Sequence, residues 1–157
     1  YKNMDFFLDT VSTTKARKVK HLIGYFHTIK PNRLEAEILS DREINDREDL
    51  IAASEYFLEQ GVKNVYISLG KDGVFYNNGS NRGFAQGAPI KVINATGGGD
   101  AFIAALAYAY INNLSIEESA RMGIAASMLA ISHENTINPN MSEENLKLYM
   151  EDVKNVK

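Results

Sequence analysis

Apolar and polar positions along the chain follow two periods and switch between them several times. Phe6, Phe7 and Leu8 form a short unbroken apolar run, which predicts a strand covered on both faces. From Thr14 onward Ala16, Val19, Leu22, Ile23 and Phe26 recur at helical spacing, with Lys15, Arg17, Lys18 and Lys20 on the opposite, solvated face and Gly24 as a stop. His27 to Lys30 predicts a brief strand ended by Pro31. Asn32 then caps a helix carrying Leu34, Ile38 and Leu39. Asp46 caps another, with Leu50, Ile51, Phe57 and Leu58 on its apolar side and Gly61 after it. Val65 to Leu69 is the next strand, and Gly70 to Gly73 turns into Val74 to Tyr76.

Asn77 to Gly87 is polar and glycine-rich, the connection of a surface hairpin that leads through Pro89 into a strand at Ile90 to Ile93. Phe102 to Ile111 is apolar nearly throughout and predicts a buried helix. Ser115 and Glu118 have the spacing of a capping box for a helix running to Ser132, whose Ala120, Gly123, Ala125, Ala126 and Ala130 permit close packing. Ser142 caps a last amphipathic helix with Leu146, Leu148, Tyr149 and Val153. The order β-α-β-α-α-β-β-β-β-α-α-α belongs to an α/β domain with helices packed on a sheet, and no repeat or linker divides it.

Composition narrows the function. The 157 residues are 45% hydrophobic, enough for one ordinary core, and the net charge of −3 comes without a basic stripe, which argues against nucleic acid and anionic membrane as partners. With no cysteine there is neither a disulfide nor a thiolate metal site, and His21, His27 and His133 lack metal-ligand spacing. The longest apolar run, Ala101 to Ile111, is about half of the ~20 residues a membrane helix needs, so the expectation is a soluble, cytoplasmic protein. Neither a Walker-type G-x-x-x-x-G-K-[ST] nor a G-x-G-x-x-G after a first strand occurs.

The candidate chemistry lies in Asn94-Ala95-Thr96-Gly97-Gly98-Gly99-Asp100-Ala101-Phe102. Three glycines at the mouth of a helix allow a tight turn with several N–H groups aimed at one point, where the helix dipole also favours negative charge. Asp100 in the first helical turn places a carboxylate within reach of a hydroxyl attacking a bound phosphate. The plainer alternative is a tight turn with an acid that complements the helix end. Asn32 and Glu35 likewise suffice as a cap and its N3 partner, and Lys71-Asp72-Gly73 as a hairpin turn. Asp9 to Ser12 lies at the C-terminal end of the first strand, the edge on which open α/β sheets bind ligands.

The run from Thr96 to Phe102 resembles the C-terminal signature of the ribokinase-like (PfkB) carbohydrate kinases, D-T-x-G-A-G-D. The resemblance implies the C-terminal portion of a three-layer α/β/α sandwich, with helices packed on a mostly parallel sheet. Residue by residue it makes Gly97, Gly98 and Gly99 the anion hole and Asp100 the general base. The Asn-x-x-Glu spacing matches a family motif in which Asn32 lies near the nucleotide phosphates and Glu35 holds Mg²⁺ through water. Ser68, Gly70 and Gly73 match an element that touches the ATP phosphates, while Ile124 and the loop from His133 to Pro139, including Asn135, wall the adenine. Asn94 stands where many relatives carry an Asp that supports a monovalent cation, so the resemblance does not extend to that ion.

Within the family, Asp9 to Ser12, His27 to Ala36 and Glu134 to Pro139 are most similar to pseudouridine kinases. The implied reaction converts ATP and pseudouridine to pseudouridine 5′-phosphate and ADP. Ribose or another sugar or nucleoside is the alternative acceptor. The chain starts at Tyr1 and meets a strand within a few residues, so the expectation is a piece of a longer kinase. Its N-terminal half, with the sugar-selecting residues and the lid through which the complete protein forms a homodimer, would lie outside these residues. A further alternative is an ATP-binding module inactive by itself, with exposed apolar surface where strands are missing.

Overall fold

In the computed structural model, which describes residues 4–156, the two strands richest in apolar residues occupy the middle of a six-stranded sheet. The strands are β1 (Phe7–Leu8), β2 (Thr28–Ile29), β3 (Asn64–Ser68), β4 (Val74–Asn77), β5 (Arg82–Gly87) and β6 (Val153–Val156), side by side in chain order. The helices are α1 (Thr13–Val19), α2 (Arg33–Ser40), α3 (Arg47–Glu59), α4 (Gly98–Ile111), α5 (Ile116–Ile131) and α6 (Glu143–Glu151).

The period of two decides the layers. Val65 and Ile67 of β3 and Phe75 of β4 point to one face and share a core with Ala16, Leu39, Ala53 and Phe57 of α1 to α3. Tyr66, Val74 and Tyr76 point to the other and pack on Phe102 and Leu106 of α4 and on Ile124 and Met128 of α5. Helix α6 packs farther out, where Leu146 and Met150 meet Ala105, Ala109, Met122 and Ala126. The architecture is therefore a three-layer α/β/α sandwich. The small residues of α5 serve close packing: a Cβ at Gly123 would fall 2.6 Å from the Phe102 ring.

Three features differ from the sequence-based expectation. The sheet is mixed rather than mostly parallel. β1, β2 and β3 run parallel, joined through helices, whereas β4, β5 and β6 each pair antiparallel with the strand before them in the sheet. The stretch between Ile90 and Ile93 is not a strand. The place beside β5 that it would have taken is held by β6, with Gly87 opposite Val153, and Val92 and Ile93 remain more than half exposed. The predicted first helix stops at Val19 and tightens into a 3-10 turn over Lys20–Tyr25, because a Cβ at Gly24 would sit 2.2 Å from the Gln60 carbonyl oxygen and the chain must pass the end of α3 closely.

Candidate functional site

The parallel half of the sheet brings its C-terminal ends to one edge, and the residues just beyond β1, β2 and β3 converge there. Beyond β2, Asn32 accepts a hydrogen bond from Glu35 N at 2.9 Å while Asn32 N donates to Glu35 Oε2 at 2.9 Å. The capping reading is thus fully realised. The same Oε2 also accepts from the Thr10 hydroxyl at 2.5 Å, which ties the loop after β1 to the start of α2. Glu35 is buried, yet both hydrogen bonds fall on one oxygen, and Oε1 has no hydrogen-bond partner among the described residues.

That free oxygen suits a carboxylate that holds a hydrated divalent cation. Among the described residues no three His, Cys, Asp or Glu side chains form a metal-binding group, so an ion here would rest on one carboxylate, water and ligand phosphates.

The glycine turn reaches the same edge from the opposite helical layer. Gly97 takes φ +89°, and a Cβ there would also meet the Thr136 carbonyl oxygen at 2.8 Å, so the position requires glycine twice over. Ala101 N makes the first intrahelical bond, to Gly97 O at 2.9 Å, and no side chain caps α4. The N–H groups of Gly98, Gly99 and Asp100 are the unpartnered donors of this first turn. Every other α-helix carries a side-chain cap, from Ser12, Asn32, Asp46, Ser115 or Ser142. Asp100 stands exposed on the first turn of α4. Ser127 of α5 holds the Gly98 carbonyl at 2.7 Å, which anchors the turn from below.

Two residues at this edge were not singled out by the sequence. The side chains of Lys30 and Asp9 are largely buried and form an ion pair of 3.3 Å. A Cβ on Gly99 would lie 3.5 Å from Asp9 Oδ2 and 3.7 Å from Lys30 Nζ, so the pair sits directly against the open turn of α4. The other oxygen of Asp9 accepts from Val11 N at 3.1 Å, and Val11 adopts φ 60°, a conformation costly for a β-branched residue. The available signal was positional: each residue directly follows a parallel strand.

The remaining candidates are distributed around this centre. Ser68 and Asn32 face each other across a backbone bridge, and Ser68 N donates to Pro31 O at 2.9 Å. Asn32, Ser68 and Gly70 line one cleft of about 360 Å³, together with Arg33, Leu34 and Asp72. Gly70 has open space around its Cβ position, as an element touched by a ligand requires. Gly73 is structural, since a Cβ there would collide with Ala85 O at 2.1 Å. Ile124 is buried against β5, where a Cβ on Gly87 would come within 3.0 Å of its Cγ2. Asn135 is exposed and donates its N–H to His133 Nδ1 at 3.0 Å. Asn94 accepts from Thr96 N and donates to the Glu134 carbonyl oxygen, linking the glycine turn to the loop after α5.

The pfkB family carbohydrate kinase model matches residues 2–143. Over 146 residues the chain is 40% identical to the pseudouridine kinase of Escherichia coli K12, an alignment that covers 92% of this chain and 46% of that protein. It is 35% identical over 107 residues to the 1-phosphofructokinase of the same organism, covering 68% of this chain and 34% of the relative. A crystal structure described as a sugar kinase from Clostridium perfringens superposes with a TM-score of 0.93 at 47% identity, over 98% of this chain and 48% of that one. The chain spans about half the length, or less, of the curated relatives it matches.

Proposed function

The chain belongs to the pfkB family of carbohydrate kinases, and on that premise we propose that it carries the ATP-binding and phosphoryl-transfer half of a nucleoside kinase whose acceptor is pseudouridine. The observation that carries this reading is the uncapped first turn of α4, open on a buried ion pair and flanked by an exposed carboxylate. The free N–H groups of Gly98 and Gly99, with the Gly97 turn beside them, receive the γ-phosphate. Asn32, Ser68 and Gly70 contact the remaining phosphates along their shared cleft, and Gly73 keeps that loop in shape. Ile124 and Asn135 belong to the adenine side. Glu35 offers its unengaged oxygen to water on Mg²⁺, whose bound charge offsets that of the phosphates.

In the transfer step the 5′-hydroxyl oxygen of the nucleoside bonds to the γ-phosphorus while the bond from phosphorus to the β–γ bridging oxygen breaks. ADP leaves with that electron pair, and the hydroxyl proton passes to Asp100. A carboxylate with an ordinary pKa of about 4 is a weak base toward a resting hydroxyl, so Asp100 takes the proton late, once bond formation has acidified the oxygen. Positioning and charge stabilisation supply most of the rate.

Pseudouridine as acceptor rests on the 40% identity to a pseudouridine kinase, while a relative named for a different acceptor also aligns. The test is a phosphorylation assay with Mg²⁺ and ATP, on this chain and on the complete kinase of the relatives' length, with pseudouridine set against ribose, adenosine and fructose 1-phosphate. Pseudouridine 5′-phosphate formed faster than any other product supports the reading, and a preference for another acceptor overturns the substrate. ATP binding without turnover by the 157 residues, alongside turnover by the complete kinase, fits a chain that needs its other half, cytoplasmic and dimeric through the lid.

A further inference from the structure

A cation beside a helix N-terminus is electrostatically misplaced, because the unpaired N–H groups already carry the positive end of the dipole. Lys30 is such a cation. Its Nζ lies 3.7 Å from the Cβ position of Gly99, and 6.0 Å from the centroid of the Phe102 ring on the same helix. It is buried, and its only charged partner among the described residues is Asp9. Nζ donates no hydrogen bond of good geometry to any described residue, so its three donors remain available to a ligand. One carboxylate therefore faces a lysine and three open backbone donors, a positive surplus that a multiply charged anion would balance.

We infer that Lys30 is a catalytic residue that binds an oxygen of the terminal phosphoryl group, and that Asp9 is its resident counter-charge. This rests on the reading of the α4 turn as a phosphate site. Asp9 is anchored through Val11 N and holds Lys30 while the site is empty. When the phosphoryl group enters, the ammonium shifts its bonding to the incoming oxygens, and it stays with them as charge moves onto the β–γ bridging oxygen. The positive end of α4 and the ammonium then act on one group from two sides.

The test is calorimetric titration of ATP and of ADP in the presence of EDTA, on the unsubstituted chain, Lys30→Met, Asp9→Asn and the double variant. The double variant removes both charges together and leaves no orphan ion, so it decides the matter if Lys30→Met alone does not fold. Loss of the lysine is expected to weaken ATP about 10- to 100-fold and ADP less than about threefold, as for a charged hydrogen bond to the terminal phosphate. Asp9→Asn is expected to hold or tighten ATP binding, a sign opposite to that of structural damage. ATP affinity within threefold in the double variant, equal losses for ATP and ADP, or a loss in Asp9→Asn that parallels Lys30→Met would each overturn the assignment. Absence of ATP binding by the unsubstituted chain overturns the phosphate-site reading itself, a result distinct from all of these.

Discussion

At the start of α5 the Ser115 hydroxyl accepts from Glu118 N at 3.2 Å, and the Glu118 carboxylate returns to Ser115 N at 3.0 Å. The neighbouring helix α4 starts with glycines, has no side-chain cap and leaves its first donors open. Both helices cover the same face of the sheet. A capping box contributes about 0.5–2 kcal/mol to a helix, and α4 does without that contribution although the chain caps every other α-helix. The open end lies at the C-terminal edge of the parallel strands, against Asp9 and Lys30. What separates the two ends is whether a ligand is meant to supply the missing partners.

The comparison can be broken most sharply at Asp100. Asp100→Asn in the complete kinase should lower kcat by about 10²–10⁴-fold while ATP affinity stays within a few fold, because a base acts on the proton and not on the nucleotide. Retained turnover would remove it from that role. Gly97→Ala forces φ +89° on a residue with a Cβ and drives that atom against the Thr136 carbonyl. Thermal melting should show a loss of about 1–3 kcal/mol, with weaker ATP binding from the displaced turn.

Ser115→Ala should cost about 1 kcal/mol and leave ATP affinity unchanged, since the α5 cap serves only its own helix. A change in ATP affinity there would erase the distinction between the two ends. The smallest effect is on pH dependence. Hydrogen bonds from the Ser115 hydroxyl and N–H hold the Glu118 carboxyl below its ordinary 4.5. The contribution is thus present above the unfolded value and is lost as pH falls through the lower folded one. Exposure to solvent keeps it small, and Ser115→Ala should flatten the melting profile as pH falls from about 5 toward 3.

Much of this was legible in the sequence. The caps at Asn32, Asp46, Ser115 and Ser142 were readable because a capping box is a contact between residues three apart. The glycine turn and Asp100 were readable because their spacing carries the chemistry. The stretch from Ile90 to Ile93 misled because its apolar composition fits a strand, while its fate depended on which segment reached β5 first in space. β6 was missed for the same reason: Val153 to Val156 continues the polar and apolar pattern of α6, and only pairing with β5 makes it a strand. Lys30 and Asp9 carried no local signal, since a lysine before Pro31 and an aspartate after Leu8 are ordinary at loop starts.

By itself, then, the sequence determined the helices, their caps, the alternation that sorts β3 and β4 into two cores and the signature of the family. These are properties of neighbours within one or two turns of chain, where propensity and periodicity act. The tertiary structure alone decided the mixed sense of the sheet, the place of β6, and the meeting of Asp9, Lys30, Thr10 and Glu35 under the open turn of α4. That meeting joins the ends of two parallel strands to a helix from the opposite layer, and such long-range geometry follows from strand register and layer packing rather than from any segment's own preference.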